Sequence, residues 1–266
     1  MDDSEIEAAV RANPTWYHTI DLPGGVTTPG WFDLRERVDD LPWPDLEGKR
    51  CLDVGTYDGF LAFEMERRGA AEVVAVDIPS HEAWDWPADA RAVGPERLAQ
   101  EAGEKGRGFE IAREALGSKV ERRWLNIYDL SPEEVGRFDV VMLGALLLHL
   151  RDPIRALEAI RSVCAGHLLS WEQIELELTL LHPRRPVASF NGSGFLCQWW
   201  VPNLAGYLQM LFSGGFEVLE KRGPWTSPFG PGHPELRWNL RQRALQRVVT
   251  RGVGLPCAAA LGRPRL

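Results

Sequence analysis

The sequence predicts an α/β domain, and three stretches carry that prediction. The run Arg50-Cys51-Leu52-Asp53-Val54 is apolar and ends in Asp53-x-Gly55-x-x-x-Gly59, a helical pattern follows through Phe63 and Arg67, and a second apolar run, Val73 to Val76, stops on Asp77. That reads as strand, glycine turn, helix and strand. A third apolar run, Phe138 to Leu143, reaches Gly144 before Asp152-Pro153 opens another helix as cap and first helical residue.

Such a unit is specific about what it holds. Glycine at the strand-to-helix turn removes the side chain that would keep a ligand off the backbone, and an acid closing the next strand can accept both hydroxyls of a ribose. The spacing Gly55-x-x-x-Gly59 is not the G-x-G-x-x-G of dinucleotide enzymes, and no Gly-Lys-Ser/Thr follows for a phosphate loop. A nucleoside without a pyrophosphate suits it better.

The remaining elements follow in order. Ser4-Glu5-Ile6-Glu7 has the spacing of a capping box and predicts a helix that stops before Asn13-Pro14. Trp16, Tyr17, His18, Trp31 and Phe32 lie in a Pro/Gly-rich segment, too irregular for a strand and aromatic enough to cover something. The loop from Ile78 to Pro87 borders the nucleoside site, and Pro95 to Leu116 reads as one helix or as two joined at a kink, weakened by Gly103, Gly106 and Gly108. Leu98, Phe109, Ile111 and Leu116 are placed partly inward.

Val120 to Leu125 is a third strand, Gly166 to Thr179 a fifth, and Phe216 to Leu219 a sixth. His182 to Gln198 is broken by Pro183, Pro186, Gly192 and Gly194 yet kept sticky by Phe190 and Phe195, the composition of a lid. Trp199-Trp200-Val201-Pro202-Asn203 then enters a helix ending at Gly214-Gly215. The expected organisation is a helix and aromatic cover over residues 1–46, then one domain over 47–266 with a lid at about 181–200 and a helical insertion at about 226–251.

Composition bounds the function. With 266 residues, 44% apolar and 26% charged, the chain can bury one full core. Four cysteines at 51, 164, 197 and 257 form no C-x-x-C pair, so neither a disulfide framework nor a metal site is expected. The acidic start lacks a signal-peptide pattern, and the longest apolar run, Val140 to Leu150, is too short to span a bilayer. A cytoplasmic protein with no membrane partner is expected.

A formal charge of −8 disfavours broad nucleic-acid binding, which needs clustered cations. The one strongly basic segment runs from Leu236 to Arg251, carrying Arg237, Arg241, Arg243, Arg247 and Arg251, with Leu236, Leu240, Ala244 and Val248 on a four-residue spacing. It reads as a surface helix or as a face for RNA or a partner.

The glycine turn resembles motif I of the class I S-adenosylmethionine-dependent methyltransferases. Together with Trp16-Tyr17-His18, Gly25-Val26-Thr27-Thr28-Pro29-Gly30-Trp31, Phe138-Asp139-Val140-Val141 and Leu148-His149-Leu150-Arg151-Asp152-Pro153, it resembles the tRNA wobble-uridine carboxymethyltransferase family and its methyltransferase-like relatives. The resemblance implies a Rossmann-like class I methyltransferase fold, a seven-stranded mostly parallel sheet with an antiparallel last strand at Gly254 to Leu261. It implies S-adenosylmethionine as cofactor, S-adenosylhomocysteine as product and no metal. Trp31, Asp53, Gly55, Tyr57, Gly59, Asp77, Ile78, Ile127, Tyr128 and Leu143 are the implied cofactor residues.

Catalysis and acceptor binding stay open between two readings at each position. His149, just past the fourth strand, is a base or a packing histidine, His18 carries the same ambiguity, and Glu172 is a substrate-facing or a capping acid. Trp16, Tyr17, Trp199, Trp200 and Asn203 either receive the acceptor or close the core.

The carboxymethyl-transferring members hold the cofactor's extra carboxylate with an N-terminal lysine, a tyrosine and a last-strand arginine. Here no lysine precedes Lys49, the tyrosine position is Leu148 and the arginine position is Cys257. A pocket without those donors favours the uncharged methyl. The expectation is a methyltransferase with a small-molecule acceptor, with a tRNA-modifying (carboxy)methyltransferase and a non-catalytic S-adenosylmethionine-binding protein as alternatives, and the oligomeric state left unknown.

Overall fold

The computed structural model describes residues 1–194, 197–234, 240–250 and 252–265. Its main sheet has seven strands, numbered here in chain order: β1 Arg50–Val54, β2 Glu72–Asp77, β3 Glu121–Trp124, β4 Phe138–Gly144, β5 Cys164–Gln173, β6 Phe216–Pro228 and β7 Gly254–Pro264. They lie in the order β6-β7-β5-β4-β1-β2-β3. All lateral pairs from β5 to β3 are parallel, and β7 runs antiparallel to both of its neighbours. The mixed sheet with its reversed last strand is therefore the one the family resemblance implies. The winding reverses between β1 and β4, and the crevice at such a point lies outside the carboxyl ends of the strands.

Alternation along the strands divides the core. Cys51, Ala75, Val140, Met142 and Leu169 pack on one face, while Leu52, Val54, Val74, Val141 and Leu168 pack on the other. The first face is covered by α2 (Phe60–Arg67) and by the amino-terminal residues Trp16 and Phe32. The second is covered by two later helices, at Pro153–Val163 and Leu204–Ser213.

Several expectations change. The first helix, α1 (Asp3–Ala12), is capped by Asp2, not Ser4: the Asp2 side chain accepts from Glu5 N, and the Glu5 carboxylate accepts from Asp2 N. The cover is not irregular, because Trp16–His18 pairs in parallel with Gly30–Phe32. Of the two readings of Pro95 to Leu116, two helices is the one that forms, α3 (Gly94–Ala102) and α4 (Arg107–Leu116), parted at Gly103 and Gly106, but Leu116, placed partly inward, is exposed. Strand β5 stops at Gln173, and Leu176–Leu181 is helix rather than strand. Inside the lid, Ala188–Phe190 pairs with Trp200–Pro202.

Strand β6 runs on to Pro228, nine residues past Leu219, because β7 supplies a long antiparallel partner. A helix at Leu240–Val249 sits in the hairpin between β6 and β7. Ala244 and Val248 are exposed there, and among the described side chains of that helix Gln246 is buried, its Oε1 accepting from Gly254 N. Leu236 and the side chain of Leu240, the other members of the four-residue spacing, lie outside the described residues. Arg237 and Arg251 lie outside the described residues, as do Phe195 of the lid and the side chains of Arg241 and Arg243.

Candidate functional site

The turn after β1 is held by its neighbour. Gly55 N and Thr56 N both donate to Val76 O, and Tyr57 N donates to the Asp77 carboxylate at 2.9 Å. Gly55 has φ +77, and a Cβ there would meet Leu146 Cδ2 at 2.8 Å. Tyr57 is left-handed at φ 50 without being glycine, a conformation that costs of the order of 1 kcal/mol and gathers at functional sites. Ala145, in the loop after β4, and Cys197, in the lid, share that geometry. All three bear on the same end of the sheet.

Asp53 is the acid at the mouth of this turn. It is 2% exposed and its Oδ2 has no hydrogen-bond partner. Burial pushes its carboxyl up to about 7; the Thr56 side chain and the charge of His18 pull it back, while the charges of Asp77 and Asp58 push with burial. An orphaned carboxylate oxygen beside a glycine turn is the complement of a ligand cation. The sulfonium and ammonium of S-adenosylmethionine meet that description, so the residues present fit the cofactor implied by the resemblance.

Asp58, absent from the predicted site, organises the cover. Its Oδ2 accepts from Tyr17 N at 2.9 Å and His18 N at 2.7 Å, and its Oδ1 lies 2.5 Å from His18 Nδ1. The His18 ring stacks on Phe60 at 5.2 Å. Tyr17 sits half-buried against Trp31, Phe32 and Tyr57, its hydroxyl pushed to higher pKa by burial and by the charges of Asp58 and Glu172. Trp16 goes elsewhere: it is 1% exposed, with Nε1 donating to Val10 O. It belongs to the core and presents no surface to an acceptor.

Glu172, at the end of β5, is buried with both oxygens engaged. Oε1 accepts from Leu146 N at 3.3 Å and Oε2 from Leu147 N at 3.2 Å. Burial drives its carboxyl up to about 8, against the pull of those two amides. It braces the β4 loop over the glycine turn. His149 ends the short turn Leu147–His149 in that loop, half-buried, with its ring 6.0 Å from Trp84.

The third side of the crevice is aromatic. Asp85 ties it together: its carboxylate accepts from Tyr128 Oη at 2.6 Å and from Arg151 N at 2.8 Å, and its carbonyl accepts from Trp199 Nε1 at 2.7 Å. Trp200 Nε1 donates to Arg151 O, and the Arg151 guanidinium lies 4.9 Å over the Trp199 ring. Trp199 and Trp200 are half-buried and face the same loops as His149. Ile127 is buried beside Tyr128, in a turn capped by Asn126.

Two more predicted residues join Trp16 away from the crevice. Leu143 is 0% exposed in the core between β4 and its neighbours, so it flanks nothing in the crevice. Asn203 is also 0% exposed: its Oδ1 accepts from Gly206 N and Val187 N, and its Nδ2 donates to His182 O and Arg185 O. All four hydrogen-bonding positions of the amide are used by backbone. It caps a helix and pins the lid base, and it has no polar atom left for an acceptor.

Asp58, His81, Asp85 and Lys105 are the residues that sequence reasoning missed. Asp58 stood within the motif itself. His81 Nε2 lies 3.1 Å from Gly103 O while its buried Nδ1 has no partner, and Lys105 Nζ pairs with Asp77 Oδ2 at 2.7 Å. Nothing in residue spacing links positions 77, 81 and 105. Among the described residues no group of three or more His, Cys, Asp or Glu side chains is placed to hold a metal ion.

A glycine turn on β1, an acid closing β2, a reversed seventh strand and an aromatic cover together define a class I, Rossmann-like methyltransferase. The chain belongs to the methyltransferase-domain family, whose model matches residues 31–213. The ubiquinone biosynthesis O-methyltransferase of Acinetobacter baumannii (strain AYE) is 29% identical over 135 residues, 48% of this chain and 47% of that protein. The tRNA U34 carboxymethyltransferase of Campylobacter hominis is 26% identical over 121 residues, 46% of this chain and 34% of that one. The chain thus spans about half, or less, of the length of the curated relatives it matches. Among solved structures, the N-terminal domain of EvdMO1 with SAH bound has a TM-score of 0.57 at 17% identity, covering 100% of this chain and 98% of that one. That likeness is one of fold. No helix among the described residues is long and apolar enough to cross a membrane.

Proposed function

We propose that the chain transfers a methyl group from S-adenosylmethionine to a small-molecule acceptor, and that it does not transfer a carboxymethyl group. The observation that carries the reading is Asp53: a buried, partnerless carboxylate oxygen at the glycine turn, with Asp77 at the end of the next strand. Bound there, S-adenosylmethionine supplies a methyl already activated on sulfur. The protein's work is then to orient the acceptor and exclude water.

Each element has a part in that work. Gly55 and Gly59 admit the cofactor, Asp77 and Ile78 receive its ribose, and Ile127 and Tyr128 flank the base. Trp31 and Tyr17 close over it from the cover, and Trp84, Trp199 and Trp200 wall the acceptor side. For an acceptor that arrives protonated, His18 is placed to act as the base. Asp58 engages Nδ1 and leaves Nε2 as the ring nitrogen for a proton.

Rejection of the carboxymethyl donor rests on the positions themselves. Leu148 is 3% exposed, and the Cys257 thiol is buried between Ser227 Oγ and Trp225 O. Neither offers a cation to a carboxylate. A flat or apolar acceptor accords with the tryptophan wall and with a net charge of −8, which disfavours tRNA. The four cysteines are free and buried, in keeping with a reducing compartment, and we place the chain in the cytoplasm.

Calorimetric titration with S-adenosylmethionine and carboxy-S-adenosylmethionine, repeated on Asp77→Ala, tests this. Tight binding of the first, weaker binding of the second and loss in the variant support it. Preference for the carboxylated donor overturns it and restores a wobble-uridine substrate. Cofactor binding with no methylated product across a broad acceptor panel points to a non-catalytic binding protein.

A further inference from the structure

We propose that Lys105 is a built-in stand-in for the cofactor's ribose, seated on Asp77 until the ribose displaces it. The inference rests on the reading that Asp77 is the ribose acid. It follows from the hydrogen bonds of that carboxylate. Asp77 Oδ1 accepts from Ile78 N at 2.8 Å, while Oδ2 accepts from both Tyr57 N at 2.9 Å and Lys105 Nζ at 2.7 Å.

A carboxylate offers about four acceptor positions, two on each oxygen. Three are occupied, and Oδ2 has none to spare. A vicinal diol gripped by both oxygens needs one position on each. Only one of the three present donors can leave: the amides of Tyr57 and Ile78 belong to the turns that form the site, whereas Lys105 is a flexible side chain.

The surroundings suit a removable plug. The Lys105 ammonium lies 4.5 Å over the Tyr57 ring, and its side chain is only 6% exposed, as buried as its partner at 9%. A paired ammonium keeps the buried Asp77 charge compensated in the free protein. Its backbone is fixed on either side. Gly103 and Gly106 flank Glu104-Lys105 at φ +72 and +83, with Gly103 O beside His81 Nε2 and Gly106 O accepting from Arg122 Nη1 at 2.9 Å. Displacement therefore takes a change of lysine rotamer and no movement of the helices.

The exchange has a signature that a ribose-holding lysine lacks. Removing the ammonium removes a competitor for the cofactor but strips the free protein of an ion pair, so affinity and stability move in opposite directions. Calorimetry with S-adenosylhomocysteine is expected to give Lys105→Met a dissociation constant about tenfold lower than wild type. Thermal unfolding of the ligand-free variant is expected several degrees below wild type, and Lys105→Arg restores both values toward it.

The wild-type chain supplies a second test that needs no variant. Amine acylation read by mass spectrometry is expected to leave Lys105 protected in the free protein and reactive once S-adenosylhomocysteine is bound. The exposed Lys119 and Lys221 serve as internal standards. Weaker binding by Lys105→Met, or continued protection of Lys105 in the complex, overturns the proposal while leaving the cofactor reading intact. Failure of wild type and variant alike to bind S-adenosylhomocysteine overturns both.

Discussion

The carboxylate of Asp58 lies 2.5 Å from Nδ1 of His18 and accepts the backbone amides of Tyr17 and His18 through its other oxygen. One side chain in the glycine motif thus holds the cover down and orients its histidine. Those two jobs can be separated. Asp58→Asn keeps an oxygen for the amides and turns its NH2 toward Nδ1, which leaves the ring proton on Nε2 and removes the base. With a protonated acceptor, kcat is expected to fall about a hundredfold or more while the unfolding temperature stays near wild type. Asp58→Ala loses the latch as well and lowers both. Equal kcat in wild type and Asp58→Asn would rule out His18 as the base.

Cofactor affinity is expected to depend on pH through Asp53. Burial pushes its carboxyl up to about 7, and a cation bound beside it favours the ionised form. Binding below that pH then expels a proton, so affinity rises with pH and levels off above about 7. Calorimetry in buffers of different ionisation enthalpy counts that proton. Asp53→Asn is expected to release none and to give a flat profile.

Glu172 works the other way, on stability. Its folded value of about 8 stands above the ordinary 4.5, so the folded chain keeps a proton that the unfolded chain gives up between those values. The stability it contributes is complete below about 4.5 and is lost as pH rises toward 8, by about 1.4 kcal/mol per unit at most. Glu172→Gln removes that slope. Denaturant unfolding from pH 5 to 8.5 is expected to show the variant gaining on wild type as pH rises; parallel curves would refute the assignment.

Asn203 is expected to behave as a structural pin. Asn203→Ala strands Val187 N, Gly206 N, His182 O and Arg185 O, and with them about 2 to 4 kcal/mol of stability. Limited proteolysis should then cut the lid faster. A variant with unchanged stability and a raised acceptor KM would return this residue to the acceptor site.

Much of the candidate site was legible before the structure because its residues are local to one another. Asp53, Gly55, Gly59 and Asp77 follow one another through a single strand, turn, helix and strand, so their spacing already places them together. The helix starts at Pro153 and Leu204 were legible for the same reason, Asp152 and Asn203 being caps one residue ahead. Asn203 also shows where the reading stopped. Its role as a cap is local, but its grip on residues 182 and 185 is not, and that grip is what withdraws it from the acceptor.

By itself, then, the sequence determined the strand, glycine turn, helix and strand of residues 50–77, because hydrophobic patterning and backbone freedom are properties of neighbouring residues; the seven-stranded sheet with its reversed last strand followed from the family resemblance. The tertiary structure decided which side chains the crevice keeps. Trp16 and Leu143 are lost to the core, Asp58 reaches back 40 residues to His18, and Lys105 crosses 28 to Asp77. A buried polar atom takes whatever partner packing brings within about 3 Å, and that distance is set by the fold rather than by position along the chain.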